Sequence, residues 1–413
     1  MSSPVRPPQR WVMISLALLA TTINYLDRQV LSVAEPVLRQ QLHIGNIAYS
    51  RIIFAFMLSY TLMNGICGRL IDRFGTRAGY AVCMAWWSAS AALHALSRGP
   101  IGLAVARFSL GMGEAGNWPA AVKVVSEWFP AEETALASGI FNSGASLGAI
   151  VAPPLVAFTL IRFGWQMAFI AVGLLGFVWL AVWLPVYFTP SKREVPSAGK
   201  RPAHWSLFRQ RFVWSYTLSK IFVDPVFYFY TFWFPAYLSN ARHFDVRSIG
   251  KYGWIPFAVA GLGNLFGGWL SSVLLRLGAP VIVARKLSVS LAAVMMLAAI
   301  PGALANSVYV SMACVSLAMA GYTAATANMI ALGSDVCDPD SIASVYGLAS
   351  MGSGFGGMVF ALLTGWIVER YSYTPAFVLF ALLPILCVLV LWFVMGPIEG
   401  SYIRNRPLAL RQA

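Results

Sequence analysis

Charged side chains are scarce in this chain. Asp, Glu, Lys and Arg make up 11% of its 413 residues, whereas a soluble domain carries about 25%. Hydrophobic residues make up 59% and fall into long runs, and about 20 of them in a row cross a hydrocarbon core of about 30 Å. This composition excludes a soluble globular protein and makes the lipid bilayer a partner. The alternating pattern of a membrane strand is missing, so each run is expected to be a helix.

Metal-binding and catalytic patterns are also missing. The five cysteines show no CxxC or other metal-ligand spacing and are expected to act as small apolar side chains. The sequence contains no phosphate-binding loop and no recognisable nucleophile-base pair, so we predict that the protein is not an enzyme and has no metal or cofactor. Nucleic acid is excluded as a partner because no basic stripe with interleaved aromatics lies outside the apolar runs.

Twelve spans are predicted, in an all-α membrane protein. The first six cover about 11–35, 50–70, 78–97, 100–122, 135–159 and 166–188, and the second six cover about 212–238, 249–275, 285–303, 306–330, 342–366 and 374–396. We therefore divide the chain into an N-terminal six-helix bundle at 1–188, a basic cytoplasmic linker at 189–211 and a C-terminal six-helix bundle at 212–413. With both termini in the cytoplasm, most of the 29 Lys and Arg residues lie on the cytoplasmic side.

The two halves repeat each other at an offset of 208 residues. Glu127 matches Asp335 in that register, and three glycines match as well: Gly139, Gly144 and Gly148 with Gly347, Gly352 and Gly356. Two pseudo-symmetric six-helix bundles with a site near the bilayer midplane are typical of the major facilitator fold. The Gly-xxx-Gly pairs in spans 5, 8 and 11 are expected to serve helix packing.

Spans 1 and 4 each carry two charges away from their ends. Asp27 and Arg28 belong to span 1, and Arg107 and Glu114 belong to span 4. A charge at the bilayer centre costs roughly 2.5–3.5 kcal/mol on insertion scales, so such residues usually face a wet cavity or each other. At 1.5 Å per residue, Arg28 and Arg107 both lie roughly 10 Å from the outer edge and Glu114 about 21 Å. The sequence thus predicts that Asp27, Arg28 and Arg107 meet at one depth.

These charges suggest an anion site with titratable acids beside it. A guanidinium pairs with a carboxylate through two hydrogen bonds, and Tyr25 shares the helical face of Arg28, three residues away. Tyr60 in span 2 is predicted near mid-depth, where its phenol could take part. The alternative is a structural salt-bridge network that only holds helix 1 to helix 4.

Span 7 carries a further charged pair, Lys220 and Asp224, one helical turn apart. The pair could contact substrate or only satisfy itself. The second half otherwise offers neutral hydrogen-bonding side chains: Tyr322, Thr323, Thr326, Asn328, Ser350 and Ser353. Among them we take Tyr322 and Ser350, with Lys220, as candidate substrate contacts. Mid-helix Ser and Thr often bond only their own backbone, which is the competing interpretation.

The loop between spans 2 and 3 reads Gly68-Arg69-Leu70-Ile71-Asp72-Arg73-Phe74-Gly75-Thr76-Arg77. It resembles the loop signature of major facilitators, G-x-L-x-D-R-x-G-R-K. We assign a conformational gating role to Gly68, Asp72, Arg73 and Gly75: the glycines allow close approach and a turn, and the acid accepts hydrogen bonds. The alternative is a plain basic loop.

Four longer segments carry a more specific resemblance: NYLDRQVLSVAEP, RFSLGMGEAGNWPAAVKVVSEWFPAEE, SGIFNSGASLGAIVAPPL and SKIFVDPVFYFYTFWFPAYL. Over essentially its whole length the chain resembles the anion:cation symporter family of major facilitators, and within it the bacterial hexuronate and aldonate transporters. The resemblance implies proton-driven symport of an organic anion across the bacterial inner membrane by a monomer.

The resemblance also implies roles for individual residues. Arg28 would anchor the carboxylate beside Tyr25 and Tyr60, and Asn142 and Ser143 would touch the sugar-acid chain. Asp27 and Glu114 would be protonated, and Arg107 would be their switchable partner. Some galactonate carriers have a glutamine where this chain has Ala145, so the polyol end of the substrate stays open. A carrier for another carboxylate, such as an aromatic acid or tartrate, and a non-transporting membrane sensor are the alternatives.

Overall fold

The computed structural model describes residues 7–130, 133–188, 210–337 and 339–396, and helices make up most of them. They are α1 (Pro7–Leu42), α2 (Asn46–Leu93), α3 (Pro100–Glu114), α4 (Asn117–Trp128), α5 (Thr134–Phe163), α6 (Trp165–Val186), α7 (Arg211–Asn240), α8 (Val246–Tyr252), α9 (Ile255–Arg276), α10 (Val281–Met296), α11 (Ala299–Leu304), α12 (Val308–Val336), α13 (Pro339–Arg370) and α14 (Tyr373–Leu389), which continues into a π-helical turn at Val390–Val394. The predicted linker lies outside the described residues except at its last two positions, Gln210 and Arg211.

Within the described ranges, eight helices are long and apolar enough to cross a membrane. One of them, Asn46–Leu96, has 51 residues and contains a sharp bend at Gly75, where φ is 80° and ψ is 158°. Only glycine adopts this conformation readily, so the predicted turn between spans 2 and 3 is confirmed at that residue. The all-helical membrane fold is confirmed, while the count of twelve spans stays a prediction.

Two helices differ from the predicted spans near the buried charges. The first helix continues to Leu42, seven residues beyond the predicted end of span 1. The predicted span 4 is interrupted at Ala115 and Gly116 and resumes as α4. The Gly116 N–H donates to the Gly113 carbonyl, three residues back, instead of the carbonyl four residues back. Glycine is among the poorest helix formers, which explains why the interruption falls beside Gly113 and Gly116.

The chain forms two compact units. The first consists of Met1–Val195, Tyr228–Ala258 and Gly357–Tyr373, and the second of Pro196–Phe227, Val259–Gly356 and Thr374–Ala413. Both α7 and α13 therefore contribute one part to each unit. The predicted division into bundles at 1–188 and 212–413 stays a prediction.

The glycine pairs pack inside these units, which confirms the packing interpretation. Gly144 and Gly148 of α5 lie against the backbone of α1, and Gly263 and Gly267 of α9 lie against Ala320 and Ala324 of α12. In the second unit, Gly352 and Gly356 of α13 lie against Thr217 and Ile221 of α7. A side chain at these positions would push the two helices apart.

We expect Gly144→Ala to destabilise the protein by about 1–3 kcal/mol, because the added methyl group would collide with the carbonyl of Leu18 and the backbone of α1. The matched control is Gly139→Ala on the same helix, where a Cβ meets nothing within 4 Å. The control should be neutral or stabilising, since alanine is the better helix former. Thermal unfolding of the purified proteins in detergent measures both effects, and equal melting temperatures for the two variants would contradict the expectation.

Candidate functional site

The polar residues of α1 lie in the interior of the first unit. Asn24, Asp27, Arg28 and Gln29 are each at most 3% exposed, and they occupy consecutive turns of the helix. Two of them contact neighbouring helices directly: the Asn24 amide donates to the Glu114 carbonyl at 3.5 Å, and the Gln29 amide donates to the Ala149 carbonyl at 3.2 Å. This side of α1 is therefore turned away from lipid and toward α3 and α5.

An ion pair between α1 and α3 is the centre of the site. The Nε atom of Arg28 donates to Oε2 of Glu114 at 2.7 Å, and both side chains are buried. Three aromatic rings lie around the guanidinium, whose Cζ is 4.5 Å from the ring centre of Tyr60, 5.0 Å from Tyr25 and 5.4 Å from Phe56. Aromatic faces attract a cation most strongly where water is excluded.

The ion-pair partner of Arg28 is Glu114, whereas the sequence predicted only that Arg28 lies at one depth with Asp27 and Arg107. From Leu42, Arg28 lies 14 residues along the helix, or about 21 Å, and Glu114 lies the same 14 residues from Pro100 at the start of α3. The depth of Arg28 in the bilayer stays a prediction. The expected approach of Asp27 and Arg107 is found, because Arg107 Nη2 donates to the Asp27 carbonyl at 3.4 Å, while Arg28 pairs with Glu114.

Arg107 takes a separate position beside α1. Its Nη2 atom donates to the backbone carbonyl of Asp27 at 3.4 Å, and its Cζ lies 5.9 Å from the ring centre of Phe56. Phe56 thus contacts both guanidinium groups. Phe56 also stacks on the ring of Tyr60 at 5.7 Å. The two residues are one helical turn apart, and this spacing could have identified Phe56 as part of the site from the sequence.

Several polar atoms of this cluster have no hydrogen-bond partner among the described residues: Asp27 Oδ2, Arg28 Nη2, Arg107 Nε and Nη1, and Glu114 Oε1. Buried polar groups are normally paired, and leaving one unpaired costs about 1–3 kcal/mol. The two acids and two bases cancel in charge, yet their hydrogen-bonding capacity is only partly used. Such an arrangement can accept a further anion, a proton or water.

Two predicted contacts on α5 are exposed side chains. Asn142 and Ser143 follow Phe141 on the helix, and the Ser143 hydroxyl donates to the carbonyl of Ile140 at 2.7 Å. The neighbouring Gly144 faces α1. Their role as substrate contacts stays a prediction.

The second unit holds the predicted span-7 pair. The Lys220 ammonium lies 2.8 Å from each carboxylate oxygen of Asp224, and the Tyr322 hydroxyl of α12 donates to Asp224 Oδ1 at 3.3 Å. The ring of Tyr322 stacks on Phe227 with a centroid distance of 5.4 Å. The fold thus joins Lys220 and Tyr322, which were predicted separately, into one cluster around Asp224. The third candidate of this half, Ser350 on α13, is exposed.

Other candidate donors of the second half are used within the unit. Thr323 donates to the Ala260 carbonyl, and the Asn328 amide donates to the Gly267 carbonyl at 2.9 Å, so both join α12 to α9. Thr326 donates to carbonyls of its own helix. Thr326 thus fits the interpretation that such side chains bond only their own backbone, whereas Thr323 and Asn328 also bond the backbone of a neighbouring helix.

The predicted gate residues lie around the bend of α2. Asp72 pairs with Lys123 of α4 at 2.8 Å, and Arg73 is exposed. Gly75 makes the turn, whereas a Cβ at Gly68 would meet nothing within 4 Å. No helix approaches Gly68 closely among the described residues, so its proposed role in close packing finds no contact here, and the gating roles stay predictions.

Comparison with known families and proteins agrees with this fold. The model of the Major Facilitator Superfamily matches residues 17–351 and 282–411. Among solved structures, this chain is similar to a bacterial homologue of the human lysosomal transporter Spinster, with a TM-score of 0.73. That homologue was crystallised in an inward-facing and unoccupied conformation. It is 21% identical, with 94% of this chain and 96% of that chain covered.

Three curated relatives are transporters by name. A hexuronate transporter of Escherichia coli (strain K12) is 34% identical over 94% of both chains. A galacturonate transporter of Dickeya chrysanthemi is 36% identical over 74% of this chain and 94% of the relative. A probable galactarate/D-glucarate transporter of Escherichia coli (strain K12) is 25% identical over 94% of this chain and 95% of the relative.

Removing only Glu114 should destabilise the protein by about 3–5 kcal/mol, because Glu114→Leu leaves the Arg28 guanidinium buried without its anion. The double variant Arg28→Met with Glu114→Leu should recover most of that loss, since no unpaired charge remains at this position. Glu133→Gln is the matched control: its pair with Arg10 is partly exposed, so less than about 1 kcal/mol is expected. Thermal unfolding in detergent measures all three, and a double variant less stable than Glu114→Leu would contradict the expectation.

Proposed function

The chain belongs to the Major Facilitator Superfamily, and on that premise we propose that it is a proton-coupled symporter that takes up a sugar acid, in particular a hexuronate. The observation that carries the proposal is the buried and incompletely paired Arg28, which contacts an acid through one nitrogen and leaves Nη2 without a partner among the described residues. Relatives named hexuronate and galacturonate transporters support the choice of substrate.

Arg28 is proposed to anchor the substrate carboxylate. Guanidinium groups bind carboxylates through two parallel hydrogen bonds, and here Nε is already used by Glu114. A substrate carboxylate therefore competes with Glu114 for the same cation. Tyr25 and Tyr60 frame the guanidinium, and Asn142, Ser143, Lys220, Tyr322 and Ser350 are proposed as further substrate contacts.

The competition at Arg28 supplies the coupling to protons. Asp27, Arg28, Arg107 and Glu114 together carry no net charge, so an incoming monoanion would leave one buried negative charge. Burying an uncompensated charge is costly. A proton taken up by Glu114 or Asp27 removes that charge, and protonation of Glu114 also frees Arg28 from its ion pair. Arg107, beside Asp27, is proposed to exchange partners as the acids change state.

Transport further requires a conformational cycle. We assign gating to Gly68, Asp72, Arg73 and Gly75 around the bend of α2, where Asp72 already forms an exposed ion pair with Lys123. The protein is proposed to act as a monomer in the bacterial inner membrane, with both termini in the cytoplasm. A ligand shifts such a cycle only by binding its states with different affinity.

Proteoliposomes with an inward proton gradient test the proposed substrate. Galacturonate or glucuronate should accumulate, a protonophore should abolish the accumulation, and tartrate and benzoate should compete poorly. Arg28→Gln should lower uptake at least about hundredfold, because the buried charged contact to the carboxylate is lost. Accumulation of benzoate or tartrate in preference to every sugar acid would contradict the choice of substrate, and saturable binding without flux would contradict transport.

Glu114→Gln tests the coupling. The variant cannot take up or release the proton, so we expect it to lose concentrative uptake driven by a pH gradient. Exchange of labelled for unlabelled substrate across the same membrane should continue, because exchange needs no net proton movement. Glu133→Gln, at a partly exposed carboxylate, is the control and should concentrate substrate as the parent does. If Glu114→Gln also concentrates substrate like the parent, Glu114 is not the coupling acid.

A further inference from the structure

The cluster of Lys220, Asp224 and Tyr322 in the second unit is electrically neutral and chemically specific. Lys220 and Asp224 lie one turn apart on α7, with the ammonium 2.8 Å from both carboxylate oxygens. Asp224 also accepts the Tyr322 hydroxyl at 3.3 Å. The Lys220 side chain keeps 17% of its surface exposed, so it is only partly buried.

Neutrality decides which groups this cluster favours. A carboxylate approaching Lys220 also meets the negative charge of Asp224, which lies within 2.8 Å of the same ammonium. Attraction and repulsion then largely cancel. A hydroxyl group has no such conflict, because it can donate to Asp224 and accept from Lys220 at once.

The adjoining aromatic rings suit the same kind of ligand. Phe227 and Tyr322 stack at 5.4 Å with 21° between their planes, and both are only partly buried. A sugar ring has an apolar face of C–H groups and an edge of hydroxyls. An aromatic surface beside a donor and an acceptor matches both features.

We propose that Lys220, Asp224 and Tyr322 bind the neutral polyol end of the substrate, so that the protein selects hexuronates, with one carboxylate, over aldarates, with two. This inference rests on the proposed function and narrows its substrate class. Lys220 would serve as a hydroxyl ligand, and Asp224 would act as the element that repels a second carboxylate. Specificity commonly depends on such a repulsive group as well as on attractive contacts.

Competition against labelled galacturonate uptake tests the selectivity of the parent protein. Unlabelled galacturonate should inhibit at a concentration at least about tenfold lower than galactarate, the corresponding dicarboxylate, because the second carboxylate meets the Asp224 charge. Equal inhibition by the two acids would overturn the inference and leave the proposed uptake of sugar acids standing. Failure of the parent to take up any sugar acid would instead overturn the proposed function.

Asp224→Asn tests the residue. It keeps the shape of the side chain and removes the repelling charge, so the ratio of the two inhibitory concentrations should fall by about tenfold or more in favour of galactarate. Adding Lys220→Gln removes the exposed cation as well and should restore the preference for galacturonate. The matched control is Asp335→Asn, which removes a carboxylate of the same unit that pairs with Arg285 at 3.0 Å. The control should leave the ratio unchanged.

The ratio separates recognition from a structural role. A merely structural Lys220–Asp224 pair would change the amount of folded protein or the rate of uptake, with both acids affected alike. An unchanged ratio in a transporting Asp224→Asn variant would overturn the inference. If the single variant fails to reach the membrane, the parent's own selectivity and the charge-neutral double variant still decide between the two outcomes.

Discussion

The contact between Arg28 and Glu114 is the interaction on which the proposed mechanism depends. Moving both groups from water into the protein interior is costly, and their 2.7 Å contact offsets that cost only if the remaining donors and acceptors are satisfied. Here Arg28 Nη2 and Glu114 Oε1 have no partner among the described residues. The burial of the pair is therefore only partly compensated, and an incompletely compensated pair suits a group that must release its acid to bind an anion.

Helix packing sets the direction in which Arg28 points. Gly148 of α5 lies so close to α1 that a Cβ there would come within 2.9 Å of the Tyr25 Cβ, and Gly144 lies against α1 one turn away. These glycines let α1 and α5 approach closely, which helps to set the position of α1 and of its Tyr25 and Arg28 side chains. A small-residue pattern that looks purely structural in the sequence therefore positions the charged side chain.

Much of this architecture could be predicted from the sequence, and the exceptions have physical causes. Apolar runs, buried charges and the glycine at the bend of α2 are local signals, and they identified the fold, Arg28 with Tyr25, and the turn at Gly75. The partner of Arg28 could not be read from either segment alone, because Arg28 and Glu114 are 86 positions apart and meet only through the packing of α1 against α3. Thr323 and Asn328 looked like free donors because nothing local reveals that α9 supplies their acceptors.

The two charged clusters differ in how their pairs are built, and that difference suggests different tasks. Arg28 and Glu114 are 86 positions apart and belong to separate helices, so a small shift of α1 against α3 can break their contact. Lys220 and Asp224 are four positions apart on one helix, so their pairing does not require a second helix to bring the two groups together. A pair that can be broken is suited to exchanging a proton for an anion. A pair that stays closed keeps its surroundings neutral throughout the cycle, as recognition of uncharged hydroxyls requires.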